Sequence, residues 1–133
     1  MNIDVDPALT AEEVIKLREV SGWDHDLQEW KKCLQQNMLN VSARTDTGEI
    51  VGVGFLAGNQ RHAELIDLVV HPDHRRQGIG RKISRVIITH ALEEQIKYFG
   101  LTYDKNSPWL KDFYKSEGFE PIDFAMWHKS SIR

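Results

Sequence analysis

Arg75, Arg76 and Arg81 stand around Gly78 and Gly80 in the stretch "HRRQGIGRK", directly behind the apolar run "LIDLVV" and ahead of a helical pattern. Cations around a glycine turn that opens a helix suit an anionic ligand. The first N–H groups of a helix have no partner inside it and lie at the positive end of its dipole, and glycine lets the backbone close around phosphate oxygens. The combination suits a pyrophosphate. Two familiar phosphate loops do not fit. A Walker loop needs lysine and then a hydroxyl after its second glycine, whereas Arg81-Lys82-Ile83 follows Gly80; a Rossmann fingerprint needs a third glycine where Ile83 stands. The plainer alternative is a strand-to-helix turn with a solvated basic rim.

Two carboxylates in the preceding segment "HAELIDLVV" also ask for a reason. A carboxylate held in an apolar strand is pushed toward its protonated form and becomes a useful base. Glu64 fits that description, with pairing to Arg61 or His62 as its plainer role. Simple alternation puts Asp67 on the opposite face, a parity that a bulge would spoil, and a hydrogen bond to a loop is its plainer role.

Composition narrows the classes. The chain has 133 residues, 41% of them hydrophobic and 28% charged, and a formal net charge of −3, which argue for one soluble globular domain spanning 1–133. A nucleic-acid binder usually carries a basic excess, so the run at 74–82 is a local feature and no nucleic-acid partner is expected. No apolar run is long enough for a membrane span and no signal segment follows Met1, so no membrane partner and a cytoplasmic location are expected. The lone Cys33 lacks a second thiol and reads as a buried helical residue, and the six histidines form no ligand pattern, so no metal is assigned.

The elements that must position these groups are legible from caps, turns and periodicity. After the alternating "NIDVD", Thr10 and Glu13 form a capping box for a helix with Val14, Ile15 and Leu17 inward and Gly22 as its stop. A second helix starts at Asp26, with Leu27, Trp30, Cys33 and Leu34 inward. Two β-rich runs flank the turn Asp46-Thr47-Gly48, and "HAELIDLVV" is a further strand. The helix behind the glycines repeats Ile79, Ile83, Val86, Ile87 and Ala91 at helical spacing. "KYFGLTYD" reads as a strand, Ser107-Pro108 as the cap of a helix closed by Gly118, and "FEPIDFAMWHKS" as a last strand interrupted near Pro121. The predicted order is β-α-α-β-β-β-α-β-α-β.

Arg75-x-x-Gly78-x-Gly80 behind "LIDLVV", together with "FYKSEGF" carrying Tyr114 four residues before Gly118, resembles the paired motifs of the GNAT superfamily of acetyl-CoA-dependent N-acetyltransferases. The element order resembles that family over nearly the whole chain. The resemblance implies an α/β (α+β) GNAT fold with a mixed central sheet of six to seven strands, splayed around the coenzyme at a bulge. It implies acetyl-CoA as co-substrate, with Leu68, Val69 and Val70 on pantetheine and Arg75, Arg76, Gln77, Gly78, Ile79, Gly80 and Arg81 on the pyrophosphate. The family often has a coenzyme-contacting asparagine seven residues before the tyrosine. Here Asn106 is eight residues before Tyr114 and Ser107 occupies the register, so either is a candidate.

The activity so implied is direct attack of a primary amine on the thioester. At pH 7 an unperturbed alkylamine with a pKa near 10.4 is only about 0.04% neutral, so it must lose a proton, and the departing thiolate gains from receiving one. By resemblance Tyr114 is the catalytic acid, with a core aromatic role beside Phe113 as the alternative, and Glu64 matches the catalytic glutamate of the histone-acetylating branch. Asp67 or water is the rival base. The loop "VSGWDHD" lies, by resemblance, over the acceptor cleft, where Asp24 and Asp26 would attract a cationic amine of a small molecule or peptide, Trp23 would offer a flat wall, and Asp67 would add a further contact. The other reading of Trp23 and Asp26 is core plug and helix cap. Small members of the superfamily often dimerise, so a homodimer is in keeping. A non-catalytic acyl-CoA sensor or interaction module on the same fold is the alternative function.

Overall fold

The structure, a computed structural model, describes residues 1–104, 106–122 and 126–131. The chain divides into two units, Met1–Thr102 and Tyr103–Arg133. In the first, strands β1 (Asn2–Val5), β2 (Leu39–Arg44), β3 (Ile50–Gly58), β4 (His62–Val70) and β5 (Tyr98–Gly100) form one sheet in chain order. The first four run antiparallel to their neighbours, and β5 joins β4 in parallel. Helices α1 (Ala11–Val20) and α2 (Leu27–Gln36) follow β1, and α3 (Ile79–Glu93) connects β4 to β5.

Local chemistry starts these elements where the sequence says it should. Thr10 Oγ1 accepts from the Glu13 N–H while Glu13 Oε1 accepts from the Thr10 N–H, a reciprocal cap on α1. Asp26 caps α2 by accepting from the N–H groups of Gln28 and Glu29. Packing then assigns the faces. Ile79, Ile83, Ile87 and Ala91 of α3 bury against Val41, Ala43, Leu56 and Leu65 on one face of the sheet. Val14 and Leu17 of α1 and Trp30 of α2 bury against Val53, Phe55 and Val69 on the other, with the Trp30 and Phe55 ring centroids 5.0 Å apart. Gly54 permits the α3 contact, because a Cβ there would lie 2.7 Å from Ile83 Cγ2.

An ion cluster pins the β1–α1 connection to β2. Arg44 Nε donates to Asp6 Oδ2 at 2.8 Å and Nη1 to Glu13 Oε2 at 2.7 Å, while the buried Ser42 hydroxyl also donates to Asp6. The hydrogen bond from Arg44 holds the Glu13 carboxyl below its usual value; at Asp6, burial pushes upward but the bonds from Ser42 and Arg44 outweigh it. Both folded values therefore lie below the unfolded ones, near 3.8 and 4.5. The stabilisation is complete above that range and is lost as pH falls through the depressed values. Arg44→Met is expected to cost about 2 kcal/mol at neutral pH. Urea unfolding at a series of pH values should show the gap between variant and parent closing below about pH 4.

Two expectations are corrected. The described residues form five strands, not six to seven. Of the expected last strand, Phe119–Ile122 has no ladder, as befits a segment in which Pro121 offers no N–H; residues 123–125 lie outside the described residues, and Lys129–Ser131 forms a 3₁₀ turn. The segment "KYFGLTYD" forms a strand only over Tyr98–Gly100, because β5 pairs with β4 only opposite His62–Glu64.

In the second unit, α4 (Pro108–Ser116) begins with Pro108 at its first position behind Ser107, as read, but the Ser107 hydroxyl makes no capping bond. Gly118, at φ +97°, ends the helix, and the Phe119 N–H returns to the Tyr114 carbonyl at 3.0 Å.

Candidate active site

The candidate donor site grows from β4. Val53 pairs with Val69, but two residues on, Phe55 pairs with Ile66, three residues back, so β4 carries one extra residue. Asp67 absorbs it at φ +51°, a left-handed conformation that aspartate tolerates better than most residues. The bulge changes which way the side chains face. Ala63 and Leu65 pack toward α3 and Ile66 toward α1 and α2; beyond the bulge Leu68 and Val70 pack toward α3 and Val69 toward α1. Asp67 consequently joins Glu64 on the α1–α2 face, the reverse of simple alternation.

Along its other edge, β4 meets β5 only through His62, Ala63 and Glu64. Leu65–Val70 has no β5 partner among the described residues, which leaves backbone groups of the bulged segment open to an extended ligand. Val69 is 2% exposed and its side chain packs in the core.

The open edge runs into the basic turn. After a 3₁₀ turn at Pro72–His74, Arg75 is extended, Arg76 has φ +63° and Gly78 has φ +77°, and α3 follows. No side chain caps α3, so its first N–H groups remain for a ligand. Gly78 is required there for its left-handed φ. Arg75, Arg76 and Gln77 are exposed, and Arg75 Nε lies 3.4 Å from the Val70 carbonyl oxygen, so this side chain folds back over the end of β4. Ile79 is buried in the core beneath α3. At Gly80, half-buried, a Cβ would stand 3.6 Å from Val70 Cγ2 and 3.9 Å from Leu68 Cδ2, at the junction of strand edge and helix. An uncapped helix start, a positive-φ turn and clustered arginines fit a pyrophosphate, and the open edge fits an extended arm.

Glu64 is half-buried, in register with Ala57 and Gly100, and no hydrogen bond or ion pair joins its carboxylate to another described residue. Trp23, Asp24 and Asp67 do converge, but on a residue the sequence reading passed over. Arg18, 5% exposed by side chain, donates through Nη1 to Asp67 Oδ1 at 3.1 Å, through Nη2 to Asp24 Oδ1, and through Nε to the Asp24 carbonyl at 2.7 Å. Its guanidinium lies 5.0 Å from the ring centroids of both Trp23 and Trp30, a desolvated cation–π arrangement in the range of about 1–2 kcal/mol per ring. The two aspartates thus already share one cation. The available signal was position: Arg18 follows Val14 by four residues on the apolar stripe of α1, where a charge must find partners. Burial, and then the Glu29 and Asp67 carboxylates, push the Cys33 thiol up, so it stays protonated as a half-buried packing residue.

In the second unit, Tyr114 is half-buried, with ring centroids 5.0 Å from Phe113 and 6.0 Å from Phe119. Burial pushes its phenol above the usual tyrosine value, so it is protonated at neutral pH. Asn106 donates its N–H to Asp104 Oδ1 at 2.9 Å, and Ser107 donates its N–H to the Asp104 carbonyl at 3.0 Å. Among the described residues no three His, Cys, Asp or Glu side chains are grouped for a metal, and no helix is long and apolar enough to cross a membrane.

The fold is thus of the α/β class in which a bulged strand parts from its parallel neighbour and runs into an uncapped helix start behind a glycine turn. The chain belongs to the acetyltransferase (GNAT) domain family, which residues 39–121 match. It is similar to the UPF0157 protein YqkA of Bacillus subtilis (strain 168), 32% identical over 111 residues; that match takes in 82% of this chain but only 32% of the relative, so the chain spans about a third of its length. Among solved structures, it shares its fold with a probable acetyltransferase of unknown function from meticillin-resistant Staphylococcus aureus (TM-score 0.79, 21% identity, 96% of this chain and 97% of that one). A GNAT family acetyltransferase from Streptococcus pneumoniae is similarly close (TM-score 0.76, 24% identity, 96% of each chain).

Proposed function

We propose that the protein is an acetyl-CoA-dependent N-acetyltransferase that moves the acetyl group directly to a primary amine of a small molecule or peptide. The observation that carries this reading is the continuity of the open Leu68–Val70 edge with the uncapped, arginine-rimmed start of α3. The coenzyme supplies a thioester, a carbonyl that an amine can attack. Backbone groups of Leu68, Val69 and Val70 hold the extended arm, and the N–H groups around Gly78, Ile79 and Gly80, with Arg75, Arg76, Gln77 and Arg81, hold the diphosphate. Asn106 or Ser107 adds a further polar contact to the coenzyme.

Proton accounting assigns the remaining groups. The ammonium gives one proton to Glu64 or to water and the neutral nitrogen attacks the acetyl carbon; as the carbon–sulfur bond breaks, Tyr114 gives its proton to the sulfur and regains one from the second N–H proton that the nitrogen releases through solvent, leaving the amide and the free thiol. Support for Tyr114 comes from its place in "FYKSEGF" and from the protonated state that its burial enforces. The acceptor sits against Trp23, Asp24 and Asp67; because Arg18 neutralises part of that acidity, a flat or extended amine held by shape and hydrogen bonds fits better than a dense polycation. Neither nucleic acid nor a membrane is a partner on this reading.

Thiol release from acetyl-CoA across a panel of small amines and peptide N-termini checks the proposal. Amine-dependent release in stoichiometry with acetylated product is the expected result. Tight coenzyme A binding with no acceleration by any amine would instead identify a sensor of acyl-CoA.

A further inference from the structure

The geometry points to Arg18 as the positioning residue that holds the β4 bulge open and ties it to the acceptor loop. The extra residue of β4 forces Asp67 to φ +51°, and the described contact that clamps its side chain comes from Arg18 Nη1 on α1. The same guanidinium grips the 21–26 loop at both the carbonyl and the carboxylate of Asp24. It lies over the rings of Trp23 of that loop and Trp30 of α2, 5.0 Å from each centroid. One buried cation therefore joins α1, α2, the loop and the bulge, and it does so one residue from Leu68, where the open strand edge begins its proposed coenzyme-binding stretch.

The physical reason for an arginine is the fork. Three N–H directions are used for three acceptors on two segments, while the guanidinium carbon lies over two indole rings; a lysine ammonium supplies no such fork. The Trp23 N–H also returns to the Arg18 carbonyl at 2.9 Å, so the backbone at the end of α1 feeds the loop into this arrangement. Arg18 touches neither proposed substrate through a reacting atom. It acts through Asp67 and Asp24.

This inference rests on the proposed donor site only for its coenzyme readout. The full chain is compared as parent, Arg18→Met, Arg18→Lys and the double variant Arg18→Met with Asp67→Gly. Amide hydrogen exchange is followed over 65–70, with the α3 core over 83–91 as control. In Arg18→Met, protection over 65–70 should fall while the α3 core keeps its own, and the coenzyme A dissociation constant should rise about tenfold. Arg18→Lys should resemble it. Glycine takes a left-handed φ without a supporting clamp, so adding Asp67→Gly should recover most of both losses. If Arg18→Met does not fold, Arg18→Gln removes the charge and the three-way fork while keeping a polar side chain, and is read identically. Native protection over 65–70 in the folded single variant, or no recovery in the double variant, overturns the assignment. A parent that binds no coenzyme A removes the proposed function, and the exchange arm then decides the role of Arg18 alone.

Discussion

Tyr114→Phe is expected to lower kcat by about 10²- to 10⁴-fold, the usual contribution of a positioned general acid, with coenzyme A affinity unchanged. The variant deletes one oxygen and retains the ring that packs on Phe113 and Phe119, so a large loss of turnover without loss of stability isolates the hydroxyl. The sign of the pH dependence follows from the burial. A phenol pushed above its ordinary value near 10.0 stays protonated throughout the neutral and mildly alkaline range. The parent's kcat should therefore show no descending limb from this group below about pH 10. Unchanged turnover in the variant would remove Tyr114 from the mechanism. Glu64→Gln, run beside it, distinguishes the base: a loss that recovers at high pH, where the amine deprotonates unaided, marks Glu64, and a wild-type profile leaves water in that role.

Gly80→Glu is expected to abolish coenzyme binding while preserving the fold. Gly80 lies in the first turn of α3, where no acidic residue stands. An acid in that turn interacts favourably with the helix dipole, and the added Cβ would meet Val70 and Leu68 at ordinary contact distances. Thermal stability should consequently be unchanged or slightly higher. The carboxylate, however, would stand among the N–H groups assigned to the diphosphate. Like charges at such a junction cost several kcal/mol, so titration calorimetry should show affinity reduced by about 100-fold or more. Gly80→Ala is the control, adding the Cβ without the charge, and should retain most of the binding. Retained affinity in Gly80→Glu would move the anion site away from the start of α3.

Much of this arrangement is legible in the sequence. The capping box at Thr10 and Glu13, the Asp26 cap, the turn closed by Gly48 and the Gly78 start of α3 are each decided within a few residues, by a side chain that reaches its own backbone or by a φ only glycine takes easily. The apolar period of Ile79, Ile83, Ile87 and Ala91 likewise announces the buried face of α3. Over Phe119–Ile122 the expected strand has no ladder, because a β-rich composition says that a segment suits a ladder but not that a partner edge is there to receive it.

The sequence by itself determined where the helices begin, where the glycine turn behind β4 opens α3 and which family the motifs resemble, because those features rest on local backbone chemistry and short spacings. Only the tertiary structure decided that Asp67 shares a face with Glu64, that Arg18 gathers Trp23, Trp30, Asp24 and Asp67, and that β5 leaves β4 after three pairs. Each depends on the register between segments far apart in the chain. One inserted residue in a strand turns every following side chain over, and alternation counted along a single strand cannot report it.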